Sequence, residues 1–344
     1  MKTFKRSKAI GFFDEDIRMT KLSRLGDPLE RLTKGIDFER FRAVLTDTLH
    51  VEPKNKGGRR PYDYVMMFKV MILQRYYNLS DDQVEYQICD RLSFMRFLGL
   101  TLADDVPDSK TVWSFRERLV DLGLVEILFE LFLKELAILN LVVHEGKIID
   151  ASFVEVPRQR NTREENKQIK QGEIPLQWID NPAKLSQKDT DARWTKKDGV
   201  SYYGYKNHAK CDEKSKFITG YKVTDASVHD SGPTSGLLNK EDEDQDFYAD
   251  SAYTGEALHK EWTEKKKMKL KIIEKGYKNK PLTDQQKATN KEKSKIRVRV
   301  EHIFGFVENS MNGSFIRNIG IKRAKAVIGL MNLTYNMFRK IQIA

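Results

Sequence analysis

The chain has 344 residues with 61 Lys and Arg against 50 Asp and Glu, a formal net charge of +11. That length holds one large domain or two to three ordinary ones. Two cysteines (Cys89, Cys211) without a CxxC pair, and six scattered histidines, argue against structural zinc and fit a reducing cytosol.

No apolar run is long enough to span a bilayer. The opening Met1-Lys2-Thr3-Phe4-Lys5-Arg6 leads into charged sequence, so no signal peptide is expected. The positive excess suits a polyanionic partner, because Lys and Arg bound to phosphates release condensed counterions. A generally cationic soluble protein is the plainer alternative.

Residues 1–57 read as a charged N-terminal region with helical fragments around Pro28–Lys34 and Phe38–Thr48. Pro53 to Pro61 reads as a basic linker punctuated by Gly57 and Gly58. Residues 58–139 then read as an all-helical domain. Tyr64, Met67, Phe68, Met71, Ile72 and Arg75 recur at helical spacing, predicting a helix from Tyr62 to Tyr77. Ser80 with Gln83 is a capping-box pattern opening a helix to about Leu92. Pro107-Asp108-Ser109 starts another, and Val125 to Leu139 is a further helix. The helices beginning at Ser80 and Ser109 suit either a DNA-reading helix-turn-helix or ordinary helix packing.

From Val142 the period changes to that of strands. Val143 to Phe153 is the first strand, and Pro157 to Val200 is a polar insertion or long loop. Tyr203–Lys210 and Phe217–Val223 form a hairpin, with Lys214 and Ser215 in its turn. His229 to Leu238 reads as a helix, Asp246 to Asp250 as a strand, Glu256 to Lys265 as a helix and Lys269 to Ile273 as a short strand. Tyr277 to Lys295 looks disordered; a helix carrying Glu301 and a core helix over Ala326–Phe338 close the chain. The whole predicts an α+β or α/β protein: residues 140–344 as a ribonuclease-H-like catalytic core, a mixed sheet flanked by helices, after the helical domain.

Three segments end on an acid: Lys147-Ile148-Ile149-Asp150, Asp246-Phe247-Tyr248-Ala249-Asp250 and Arg297-Val298-Arg299-Val300-Glu301. A carboxylate at the end of a buried strand is costly unless a cation meets it. Acids at the carboxyl ends of neighbouring strands share one crevice, and three together would hold hard, oxygen-seeking divalent ions. Each acid also has a plainer reading. Asp150 could cap a turn, Asp250 could make an Asx turn over Ser251-Ala252-Tyr253, and Glu301 could pair with Arg297 one helical turn earlier. Asp212, Asp225 and Asp230 compete with them; Asp212 reads as a hairpin-turn residue and Asp230 as a helix N-cap.

Three blocks carry a resemblance. The first runs from Arg60-Pro61 to Leu119 and includes Asn78-Leu79-Ser80-Asp81, Arg96-Phe97-Leu98-Gly99-Leu100 and Pro107-Asp108-Ser109-Lys110-Thr111. The second is Tyr203-Gly204-Tyr205-Lys206 with Asp250-Ser251-Ala252-Tyr253. The third is Arg297 with Val300-Glu301-His302-Ile303-Phe304-Gly305. Together they resemble bacterial DDE transposases of the insertion-sequence-five family. The resemblance implies that Asp150, Asp250 and Glu301 are the catalytic, metal-binding triad of a ribonuclease-H-like core. It implies two Mg²⁺ ions (or Mn²⁺), with Asp150 bridging them. It further implies hydrolysis at element ends, attack of the freed 3′-hydroxyl on target DNA, a homodimer, and a bacterial cytoplasmic protein at the nucleoid when bound.

The chain departs from that pattern at Ser294 and Glu308, where relatives often carry Tyr and a basic residue. It departs again at Ser251-Ala252, where they often carry Lys-Gly. Lys206, Arg297 and Arg299 are candidate phosphate contacts, Arg317, Lys322 and Arg323 a candidate DNA-facing edge. Trp194, Tyr202 and Tyr203 are candidates to stack on an unpaired base. The rival readings are an inactive or domesticated DNA-binding protein with a nuclease-like core, and a nuclease without strand transfer.

Overall fold

The computed structural model describes residues 11–50, 60–253, 255–278 and 280–343. Most of the basic linker expected over Pro53–Pro61 lies outside these residues.

The N-terminal half is helical: α1 (Asp14–Arg24), α2 (Pro28–Gly35), α3 (Arg42–Leu49), α4 (Tyr64–Tyr76), α5 (Asp81–Asp90), α6 (Leu92–Leu98), α7 (Ser109–Asp121) and α8 (Leu124–Ile138). The Ser80 hydroxyl accepts from the Gln83 amide while the Gln83 side chain accepts from the Ser80 amide, the reciprocal cap expected for α5. Asp108 caps α7 by accepting from the Thr111 amide at 2.7 Å. The helices α5 and α7 pack on each other, and buried Arg116 of α7 faces Asp81 rather than solvent.

Six strands form one mixed sheet: β1 (Gly146–Glu155), β2 (Arg193–Lys197), β3 (Val200–Asp212), β4 (Ile218–Asp225), β5 (Asp246–Ala249) and β6 (Lys269–Ile272). Antiparallel β4, β3 and β1 lie in that order, and β5 and β6 continue parallel to β1. Strand β2 pairs with the outer half of β3. This is the mixed, helix-flanked sheet expected of the ribonuclease-H-like core. Gly204, in the Tyr-Gly-Tyr-Lys block, sits where β3 crosses β1 so closely that a Cβ would run into the Val154 carbonyl oxygen.

The insertion over 157–200 is more ordered than a loop. It holds α9 (Arg163–Lys170), the single turns α10 (Leu176–Ile179) and α11 (Pro182–Leu185), and β2. Trp178 is fully buried there and donates to Glu165 at 2.8 Å. Periodicity missed it because such short elements bury single anchors rather than stripes.

Beyond β5 come α12 (Glu256–Lys260), with a π-turn over Glu261–Lys265, then α13 (Asp284–Gly305) and α14 (Ile321–Ile343). Two expectations fail. The helix over His229–Leu238 is a loop with one 3₁₀ turn at Thr234–Gly236, because Gly232, Pro233 and Gly236 interrupt any helix; Asp230 therefore caps no helix there. The disordered reading of Tyr277–Lys295 also fails from Asp284 onward, where a capping box of Thr283 and Gln286 opens the 22-residue α13. Its polar composition hid a helix that buries few of its own side chains.

Helix α14 is the spine. It packs against α2, α4, α7 and α8 on one side and β3 and β4 on the other. Apolar side chains from Leu29 to Phe338 make one continuous cluster, so the core does not break near residue 139. Buried Asn336 brackets Ile218, accepting from its amide and donating to its carbonyl at 2.9 and 2.8 Å. Asn332 bonds Asn207 at 2.9 Å. These polar contacts set the rotation of α14 against the sheet. A second apolar cluster, with Ile149, Phe247, Tyr253, Trp262 and Ile272, lies around β5 and β6.

At Gly329 a Cβ would run into the Tyr221 hydroxyl and lie 2.8 Å from Val125 Cγ1. Gly329→Ala should therefore destabilise by about 1–3 kcal/mol through overpacking. Urea unfolding should show a lower midpoint with an unchanged slope, and an unchanged midpoint would count against this packing.

Candidate active site

Strand β1 runs through the middle of the sheet. Successive residues alternate faces, so Ile148 joins the main core and Ile149 the second cluster. Asp150 follows, 9% exposed. The parallel register pairs Ile148 with Tyr248, so two residues further along, Asp150 and Asp250 stand level. Asp150 is mid-strand, since β1 runs on to Glu155 rather than ending on the acid as expected, while Asp250 lies just past the end of β5. The Asp250 charge is felt at Asp150 and raises its pKa. Asp250 also accepts from the Ala252 amide at 2.8 Å, so its Asx turn is real as well.

Helix α13 crosses β1 and β5, anchored by buried Val300 and Ile303. One turn of it presents Arg297 and Glu301 to Asp150. The Arg297 guanidinium donates from Nη1 to Asp150 Oδ2 at 2.8 Å and from Nη2 to Glu301 Oε1 at 3.0 Å. A single cation thus spans the first and third acids. Among the described residues, no group of three or more His, Cys, Asp or Glu is gathered closely enough to hold a metal ion. The three acids are brought to one locality, with a guanidinium between two of them.

Burial pushes the Asp150 carboxyl up to about 6, and Asp250 adds to the rise; Arg297, the Ala151 amide and Lys197 oppose it without cancelling it. Its charged form is thus under-compensated. The donor chemistry is carboxylate oxygen, which suits hard divalent ions. On both counts Asp150 and Asp250 fit such an ion, with Glu301 able to join once Arg297 gives way.

Sequence reasoning passed over two neighbours. Tyr253 is fully buried, and burial together with Asp150, Asp230 and Asp250 raises its phenol well above the ordinary range. Its place in Asp250-Ser251-Ala252-Tyr253 was the available signal. Lys197, at the tip of the β2–β3 hairpin, acts electrostatically on Asp150. It was hidden in the segment read as a loop. A groove of about 460 Å³ runs beside Glu301, lined by Phe153, Glu155, Lys197, Tyr202, Phe304 and Glu308. Phe153 and Tyr202 stack there with centroids 4.2 Å apart.

The candidate basic residues divide. Lys206 is buried and donates to Asp230 and the Val228 carbonyl, both at 2.7 Å; its charge is engaged inside the protein, not offered to a ligand. Arg299 holds Glu213 at 2.8 Å. Lys322 pairs with Asp121 and Arg323 with Glu117, at 2.9 and 2.7 Å. Arg317 is exposed beside the Phe315 ring. Of the candidate stacking residues, Trp194 is half exposed and packs on buried Tyr203.

Comparison with known proteins adds two family matches and one structural likeness. Residues 18–118 match a transposase domain (DUF772), and residues 143–337, more than half the chain, match a transposase DDE domain. A cryo-EM structure of the piggyBac transposase synaptic complex with hairpin DNA superposes over 94% of this chain and 76% of that one. The sequence identity is 12% and the TM-score 0.45, too distant to transfer anything to this chain.

The raised pKa has a signed consequence. The folded protein retains the Asp150 proton between pH 3.8 and about 6 while the unfolded chain has lost it. Asp150 therefore contributes stability below pH 3.8 that is lost as pH rises through about 6. In metal-free buffer at neutral pH, Asp150→Asn should be more stable than wild type by up to about 3 kcal/mol. The gap should close towards pH 4 in thermal melts; a gap that does not change with pH would contradict the reading of this carboxyl.

Proposed function

Because this chain belongs to the transposase DDE domain family, we propose that Asp150, Asp250 and Glu301 are the residues with which it cuts DNA at the ends of a mobile element and joins the freed 3′-hydroxyl to target DNA. A DDE transposase acts on DNA with the help of divalent metal; Mg²⁺, as a pair of ions with Mn²⁺ able to substitute, is our reading here. The observation that carries the proposal is the level placement of Asp150 and Asp250 on adjacent parallel strands, with α13 bringing Glu301 to the same place.

Bound between Asp150, Asp250 and Glu301, divalent ions would supply Lewis acidity to the scissile phosphoryl group and activate the attacking oxygen. The rest of the work is positioning and charge. Strand β1 holds Asp150 rigidly because both flanking faces are packed. The Asx turn at Asp250 fixes its carboxylate against the backbone. Arg297 keeps Asp150 and Glu301 from facing each other bare, and once they turn to metal it is free to meet a phosphate. Tyr253, fully buried in the second apolar cluster with Ile149 and Phe247, packs just beyond Asp250. Arg299, Arg317, Lys322 and Arg323 are the candidate phosphate contacts; for Arg299, Lys322 and Arg323 this means exchanging the carboxylates of Glu213, Asp121 and Glu117 for phosphate. Two element ends must be brought together, so a homodimer is part of this proposal. No helix among the described residues is long and apolar enough to cross a membrane.

Replacing Asp150, Asp250 or Glu301 by Ala should lower strand cleavage by about 10³-fold or more, since several kcal/mol of transition-state stabilisation go with the ligand. DNA binding should persist in a mobility-shift assay, and chelation should silence the wild type. Full cleavage by pure Asp150→Ala protein would refute the assignment. A pre-cleaved end that is never joined to target would favour a nuclease without strand transfer.

A further inference from the structure

We propose that Arg75, Arg116 and Arg317 form a binding site for a phosphate group at the seam between the helical half and the catalytic sheet. Arg75, at the end of α4, is 6% exposed and its Nε is buried without a hydrogen-bond partner. No carboxylate pairs with its guanidinium among the described residues. The one acid that acts on it, Asp81, is taken by Arg116 in a two-pronged pair, with Gln74 bonding the same carboxylate at 2.6 Å. Arg116 is itself buried, and its Nε also lacks a partner. Arg317 approaches from the loop before α14 and repels Arg75 electrostatically.

Arg116 and Arg75 thus share the one Asp81 carboxylate, and Arg317 adds a further positive charge that acts on Arg75. Burial and then Arg116 pull Arg75 down to about 9, with Arg317 contributing. A buried cation without an anion is strongly unfavourable, and planar forked donors match phosphate oxygens.

The surroundings indicate how a phosphate would arrive. Asn78, three residues beyond Arg75, donates to the Asn312 and Phe315 carbonyls and ties α4 to the loop that bears Arg317. Arg317 also lines a groove of about 310 Å³ with Arg158, Lys184 and Lys188. These cations, with Asp189 the acid among the groove's lining, give the surface beside Arg317 a positive excess. The phosphate belongs to a DNA backbone, which rests on the transposase reading; free phosphate is the other source of the same chemistry.

The test uses the full chain and two probes, inorganic phosphate and duplex DNA. Phosphate should raise the melting temperature of wild type and do so much less for Arg75→Met, and for Arg317→Gln, an exposed change that leaves the fold intact. On DNA, each variant should bind more weakly across all sequences, with the slope of log K against log salt shallower by about one. Changes in both readouts, or in the slope alone, place a backbone phosphate here. A change in the phosphate response alone assigns the site to free phosphate. If neither readout changes, in Arg75→Met or, should that variant not fold, in Arg317→Gln, the site is overturned. The phosphate arm is independent of cleavage: Asp150→Ala should respond to phosphate like wild type even if the catalytic assignment fails.

Discussion

Charge buried in this fold must be matched, and the rest of the structure is arranged around that constraint. Along β1 and β3, Lys147 meets Asp212, Lys206 meets Asp230 and Lys210 meets Asp242, each lysine with its ammonium inside the protein. A buried ion without its partner is far more costly than the pair is favourable, so each pair fixes where a neighbouring segment can lie. The loop between β4 and β5 has no long helix to shape it. It is held to the sheet by Asp230 and Asp242, and it delivers the chain into β5, at whose end Asp250 stands.

Asp150 and Arg75 are the least matched in this way among the described residues. Asp150 has one cation within reach, shared with Glu301, and Arg75 has none of its own. They have opposite sign and lie in different parts of the molecule, one on the central strand, the other where α4 meets the final loop. Asp189, buried without a cation, is instead held by the Tyr205 hydroxyl and the Asp191, Ala192 and Gly320 amides. Electrostatic strain left at a position without such partners marks where a charged ligand would relieve it. In the two proposals above, a divalent cation would answer the first case and a phosphate the second.

The seam between the halves has its own logic. Helix α14 is buried on nearly every side, so the helical half and the sheet share one core through it and cannot move as loosely tethered bodies. The glycine at 329 permits the close approach, and Asn332 and Asn336 fix the register. Rigid coupling of this kind would keep whatever the helical half holds at a set distance from the acids on the sheet.

Much was legible in the chain. The strands around Asp150 and Asp250 could be read because apolar runs ending in an acid are rare without a purpose. The caps at Ser80 and Asp108 could be read because they rest on neighbours three residues apart. The helix over His229–Leu238 was misread because its cap signals were real while its glycines and proline outweighed them. The polar composition hides the start of α13, which the Thr283–Gln286 cap alone marks. By itself the sequence determined the period of each segment, the caps, and the family blocks carrying three acids, since all of these depend on residues near one another in the chain. Only the tertiary structure decided that Arg297 stands between Asp150 and Glu301, that Lys206 is held by Asp230, and that Arg75 is left without a counter-ion. Those outcomes depend on which distant side chains come within a few ångströms, and burial sets their energies only once the chain has closed around them.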